Sequence, residues 1–179
     1  MLTLEQILDD VLIARIQAGD GSAAERLVAR YQPPLRYFLI RLLGPGESPD
    51  DMLQEVWLSV FRQIRRLKTR ESFSVWLYRI ARNRAYDSLR RRRRFEALPD
   101  DRTESRDGDD EFTAEDAAAV HQGLDALSHE HREVLLLRFL EEMSYEDIAA
   151  VTGCTLGTVK SRIHYAKLLL RREMEASNA

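Results

Sequence analysis

The sequence has one cysteine, Cys154, in 179 residues, which excludes a disulfide within the chain. It also lacks the spacing of a metal site. Histidines at 121, 129, 131 and 164 pair with no second thiol, and His129-Glu130 is followed by Glu133, where a helical zinc motif needs another histidine. His121, His129 and His131 therefore read as helix-surface residues, and no cofactor is expected. Phosphate-cradling glycine loops and nucleophile elbows are missing too, so an enzyme has no support. Apolar runs reach only a few residues against the roughly 20 that span a bilayer, and the N-terminus has no basic-then-apolar leader pattern. No membrane insertion is expected, and the location reads as cytoplasmic. No segment sustains strand-like alternation, and the Asp-Gly pairs at 20 and 107 have no flanking strand patterns.

What is present is helical and charged. A composition 44% apolar and 32% charged fits a water-soluble chain with ample core for one medium domain or two small ones. The net charge of −3 argues against nucleic acid until its distribution is read. From Arg62 to Arg94 thirteen cationic residues face only Glu71 and Asp87, a net +11. From Pro99 to Glu111 seven acids face Arg102 and Arg106, a net −5. Unopposed like charges repel, so the first segment is hard to explain as mere solvation.

Helical periodicity predicts an all-α fold in two small domains, residues 1–95 and 113–179, joined by a flexible acidic linker at 96–112. Leu4, Ile7, Leu8, Val11, Leu12 and Ile16 repeat at helical spacing until Gly19-Asp20-Gly21. Ser22 can cap a second helix with Leu27, Val28 and Tyr31 inward. Pro33-Pro34 is expected to break or restart it, because neither residue can donate a backbone hydrogen bond. Leu35 to Leu43 resumes an apolar helix that stops at Gly44-Pro45-Gly46. Ser48-Pro49-Asp50-Asp51 then supplies a capping hydroxyl, a first-turn proline and acids against the positive helix end. Leu53, Val56, Trp57, Val60, Phe61 and Ile64 form the core stripe of the helix that follows. Asp50, Asp51, Gln54 and Glu55 gather on its solvent side; capping explains the aspartates equally well, while Gln54, Glu55 and the off-stripe Leu58 suggest a protein-binding surface.

A basic connection, Ile64 to Ser72, leads into a helix over 73–94. Phe73, Leu77, Ile80 and Ala81 can pack inward, whereas Arg79, Asn83, Tyr86, Arg90 and Arg93 line up outward. An aromatic in a basic stripe suits both a phosphate backbone and an unstacked base; Trp76 reads as core. Beyond the linker, Thr113 with Asp116 resembles a capping box for a helix to about Leu127. Ser128 caps another, carrying Val134, Leu135, Leu137, Arg138 and Leu140.

Ser144 to Lys167 has the pattern of a helix-turn-helix. Ser144 and Asp147 make a capping box, Ile148, Ala149 and Val151 give a short helix its apolar side, and Gly153 permits the positive φ that ends it. Thr155 can cap the next helix, where Val159, Ile163, Ala166 and Leu170 bury one stripe. Thr158, Lys160, Ser161, Arg162, His164, Tyr165 and Lys167 occupy the other side. From Thr155 to Arg172 five cations meet no acid, whereas a merely solvated helix usually mixes signs.

Together PDDMLQEVWLSVF at 49–61, FSVWLYRIARNRAYDSLRR at 73–91 and LSHEHREVLLLRFLEEMSYEDIAAVTGCTLGTVKSRIHYAK at 127–167 resemble a bacterial sigma factor of the extracytoplasmic-function (ECF) group. The resemblance implies a promoter-specificity subunit whose partners are core RNA polymerase, promoter DNA and an anti-sigma protein. It implies polymerase contact by Asp51, Gln54 and Glu55, beside Asp50 and Leu58. Strand opening falls to the Leu67 to Phe73 connection, with Lys68 and Arg70, and to Asn83, beside Arg79, Tyr86 and Arg90. Upstream-element contact falls to Lys160, Ser161, Arg162, His164 and Tyr165, flanked by Thr158 and Lys167. Leu67 stands where the family often has an aromatic and Thr69 where glycine is common, so the family's base preference does not carry over; Thr155 replaces a frequent proline. The acidic linker is either solvated or an imitation of nucleic acid within the polymerase channel. The alternative is a free-standing regulator that binds DNA through residues 113–179 alone.

Overall fold

The computed structural model describes residues 3–44, 48–67, 72–96 and 114–177. Among them are eight α-helices, one short 3-10 turn and no strand. The chain divides into two compact units, residues 1–39 with 48–95, and residues 40–47 with 96–179.

The first unit is built on α1 (Leu4–Gln17), most of α2 (Gly21–Leu43), α3 (Pro49–Gln63), the 3-10 turn Ile64–Arg66 and most of α4 (Phe73–Glu96), the last residues of α2 and Glu96 counting with the second unit. Its core is Leu27, Leu35 and Phe38 of α2, Val56 and Val60 of α3, and Leu77, Tyr78, Ala81 and Ala85 of α4, all within a few per cent of complete burial. Phe38 meets Tyr78 edge to face at 5.2 Å. The prolines do not interrupt α2, which runs through Pro33 and Pro34. Each proline removes a backbone bond, at about 3 kcal/mol or more. Leu27 and Tyr31 before them and Leu35, Phe38 and Leu42 after them nevertheless stay in one helical phase, and all are buried. Packing of that stripe outweighs the local defect.

One expectation for the N-terminal helices is corrected, and the periodic residues of α1 divide between core and surface. Asp20, not Ser22, caps α2: its carboxylate accepts from the Ser22 and Ala23 backbone N–H groups at 2.9 and 3.3 Å. The buried side of α1 is Asp9, Ile13 and Ile16, whereas Leu4, Ile7, Leu8 and Val11 are roughly half exposed or more. Asp9 is 3% exposed because it serves as a polar tether, accepting from the Tyr31 hydroxyl at 2.5 Å with Arg30 3.6 Å away. Burial raises its carboxyl above the usual range despite the Tyr31 bond and the Arg30 charge.

The second unit contains α5 (Ala114–Ala126), α6 (His129–Phe139), α7 (Tyr145–Thr152) and α8 (Leu156–Ser177). Ser128 caps α6, and Ser144 with Asp147 forms the expected capping box on α7. Thr113, expected to open α5, lies outside the described residues. Arg132 of α6 donates to the carbonyls of Leu124, Asp125 and Leu127, at and just beyond the C-terminal end of α5, where helix carbonyls lack intrahelical partners. Val134, Leu136, Leu137, Ile148, Val159, Ile163 and Ala166 close the core. α5 packs closely on α8 at Gly123, where an added Cβ would lie 2.6 Å from Leu170 Cδ1 and the leucine side chain would have to move.

Candidate functional site

Three surfaces carry the residues singled out from the sequence. On α3, Ser48 accepts from the Asp51 N–H and Pro49 takes the first helical position, so the acids start the helix as its cap demands. Asp50, Gln54 and Leu58 then fall on one face with Leu53, Trp57 and Phe61. With Val28 and Gln32 of α2 they line an apolar groove of about 460 Å3. Arg36 braces its edge, with Nε 2.9 Å from Asp50 Oδ1, and this hydrogen bond holds the Asp50 carboxyl below the usual range. Asp51 and Glu55 do not line the groove; Glu55 lies 4.0 Å from Arg84 of α4. Val28, expected to face inward, and Gln32 were not singled out as site residues, because only tertiary packing sets them beside α3.

The second surface is α4 with the connection before it. Lys68 and Arg70 lie outside the described residues. Leu67 is half-buried, and its carbonyl accepts from the Gln17 amide. Phe73, expected among the strand-opening residues, is 2% exposed, packed against Tyr31 and Trp76 with centroids 5.2 and 5.8 Å away. An aromatic ring gains more from that burial than from water, so Phe73 anchors α4 and presents no face outward. Asn83 and Arg90 are exposed, and Arg79 and Tyr86 are half-buried. Arg82 stacks over the Tyr86 ring at 4.4 Å, Arg84 donates to Ser59 Oγ at 2.8 Å, and Arg90 pairs with Asp87. Several arginines of α4 are thus held by neighbouring side chains. Trp76 and Tyr78 belong to the core, as the Trp76 expectation had it.

The third surface is the helix-turn-helix. Gly153 adopts φ +70° between α7 and α8, and Thr155 Oγ1 accepts from the Thr158 N–H at 3.2 Å to start α8. Val159, Ile163 and Ala166 face inward, leaving Lys160, Ser161, His164, Tyr165 and Lys167 exposed. The Ser161 hydroxyl donates to the Thr158 carbonyl, and the His164 and Tyr165 rings meet edge to face at 5.5 Å. Arg162 differs from its neighbours. It is half-buried, donates from Nη1 to Cys154 Sγ at 3.3 Å, and helps to lower the Glu130 carboxyl, whose own backbone N–H is the larger cause. Lys167 Nζ sits 4.9 Å from the Phe139 ring, and Phe139, Leu140 and Leu168 are exposed.

No group of three or more metal-ligating side chains occurs among the described residues, and no described helix is long and apolar enough to cross a membrane.

Comparison with known proteins places the chain in a family. Residues 27–95 match Sigma-70 region 2, and residues 117–170 match Sigma-70, region 4. The RNA polymerase sigma-H factor of Pseudomonas aeruginosa is 32% identical over 200 residues, spanning 98% of this chain and 97% of that protein. The ECF RNA polymerase sigma-E factor of Haemophilus influenzae is 33% identical, spanning 96% and 97%. Among solved structures, the sigma factor RpoE bound to the anti-sigma factor NepR from Bartonella quintana has a TM-score of 0.76 at 27% identity, covering 84% of this chain and 96% of that one. CnrH in complex with the cytosolic domain of CnrY has a TM-score of 0.69 at 26% identity, covering 94% and 98%. With region 2 and region 4 matched in order and relatives aligned over nearly the full length, the chain belongs to the extracytoplasmic-function group of the sigma-70 family.

Proposed function

We propose that the three surfaces divide the work of transcription initiation. As a sigma factor the chain is a promoter-specificity subunit of RNA polymerase; the assignment of residues is what is proposed. The α2–α3 groove, with Asp50, Gln54 and Leu58 at its lining and Asp51 and Glu55 beside it, binds core polymerase. Leu67, Lys68 and Arg70 with Asn83, Tyr86, Arg79 and Arg90 open the downstream element and hold the separated strand. Flipping a base costs a few kcal/mol, which stacking and cationic contacts recover. Lys160, Ser161, His164, Tyr165 and Lys167 contact the upstream element, while Thr158 and Arg162 support the start of the reading helix. Residues 1–95 and 113–179 act as the two promoter readers, and 96–112 joins them. The protein directs a catalyst and catalyses nothing itself, works in the cytoplasm, and is held in check by an anti-sigma partner, as the complexes of its structural relatives suggest.

The observation that carries this reading is the exposed α8 face, which follows a left-handed glycine turn and has no acid from Thr155 to Arg172. Transcription by purified core polymerase on candidate promoters, with and without the protein, tests it. Specific initiation should depend on the protein. Tight sequence-specific binding to free duplex with no gain in initiation would instead favour a free-standing regulator, because two readers on a linker need polymerase to fix their separation.

A further inference from the structure

Gln17, the last residue of α1, reaches across 47 and 50 positions of sequence to one short stretch of backbone. Its amide nitrogen donates to the carbonyls of Ile64 at 2.9 Å and Leu67 at 3.1 Å. Those carbonyls flank the 3-10 turn, and the Leu67 N–H itself returns to the Ile64 carbonyl at 3.1 Å. Ile64 is 1% exposed, so burial fixes the start of the turn, whereas at its end the half-buried Leu67 is held by an exposed side chain. Leu67 is the last described residue before the basic connection, and Phe73 is where the chain becomes helical again. Phe73 packs on Tyr31, and the Tyr31 hydroxyl donates to Asp9 of α1. One helix therefore ties down both ends, through Gln17 at Leu67 and through Asp9 and Tyr31 at Phe73. This helix ends at residue 17, ahead of residue 27 where the region 2 match begins.

We infer that α1 is a positioning element for promoter opening and that Gln17 is its positioning residue. By holding the two carbonyls together it sets the direction in which the backbone leaves Leu67, and so the way Leu67 is presented to the separating strands. Pre-set geometry favours the step in which those strands must be captured, not the earlier docking of polymerase or duplex. The inference rests on the proposed strand-opening role of Leu67 and Asn83, and its test must separate the two.

The experiment uses full-length protein with core polymerase on promoter DNA carrying a fluorescent base analogue in the downstream element. Polymerase affinity, initial promoter affinity and the opening rate are measured separately. Gln17→Met keeps the length and removes the donor; the opening rate should fall roughly five- to tenfold, the size expected for losing two backbone hydrogen bonds, with both affinities unchanged. Gln17→Lys restores a donor of similar reach and should recover most of the rate. Tyr31→Phe, which keeps the ring on Phe73 and loses the Asp9 bond, should slow opening by less than Gln17→Met. Asn83→Ala reports on the underlying reading. Normal opening with Gln17→Met beside slow opening with Asn83→Ala overturns the inference alone, and normal opening with both overturns the reading as well. A Gln17→Met defect that extends to polymerase affinity, or that Gln17→Lys does not relieve, makes Gln17 a structural residue and overturns the inference.

Discussion

In the proposed reading both units present cations to DNA, and they do so from different interiors. The first buries Tyr31, Phe38, Trp57, Phe73, Trp76 and Tyr78. The second buries no aromatic among its described residues; Phe139 and Tyr165 stand 55% and 58% exposed, and its core is aliphatic. The cationic side chains follow suit. On α4, Arg82 is stacked on Tyr86, Arg84 is tied to Ser59 and Arg90 to Asp87, whereas on α8 Lys160 stands exposed. Held side chains lose little entropy when a strand arrives, which suits capture of a separated strand. Exposed cations suit phosphate contact, whose strength comes largely from counterion release.

The largest effect should come from the α8 face. Lys160→Glu should weaken promoter binding by the polymerase complex roughly 10- to 100-fold and flatten its salt dependence, since it removes one phosphate-range cation and adds an anion. Filter binding across a salt series checks this, and an unchanged slope would remove Lys160 from the DNA surface. Next in size, Tyr86→Ala should slow promoter opening by about tenfold, within the range of one lost base-stacking platform. Its defect should be nearly the same at low and high salt. A defect at Tyr86 as salt-sensitive as that at Lys160 would erase the proposed contrast between the two units.

The smallest effect tests the polar interior of the first unit. The Asp9 carboxyl is raised by burial, so the stability tied to its neutral form is complete below the ordinary carboxylate value and is lost as pH rises through the raised one. Asp9→Asn cannot ionise, and its side-chain oxygen can still accept from Tyr31. The melting temperature of Asp9→Asn relative to wild type should therefore be higher at pH 7 than at pH 4. Asp20 does not confuse the comparison. Its hydrogen bonds, the Ser22 hydroxyl first and then Arg15, lower its carboxyl to about 2, so its contribution is present above the ordinary carboxylate value, is lost as pH falls from there through the lowered one, and is common to both proteins. A relative melting temperature independent of pH would show that ionisation of Asp9 does not bear on folding.

Much of this protein was legible one turn at a time. The caps at Ser48, Ser128 and Ser144, the glycine turn at 153, the inward stripe Val159, Ile163 and Ala166, and the acid-free α8 face all rest on interactions within about four residues, so spacing and residue type were enough to state them. Charge segregation was likewise visible, because it is a property of neighbours in sequence. Other features arose only when distant segments met. Continuity of α2 through Pro33-Pro34 depends on a buried stripe whose packing exceeds the local cost of two missing donors. The groove needs Val28 and Gln32 beside α3, and Arg162 turns to Cys154 because folding brings the turn to it. An aspartate such as Asp9 is buried only where a tyrosine some twenty residues away supplies its bond, and Gln17 finds two carbonyls that nothing in its own turn announces. Local chemistry determined the helices, their ends and the sign of their faces; tertiary packing decided which side chains are held, because partners that far apart in sequence meet only in the folded chain.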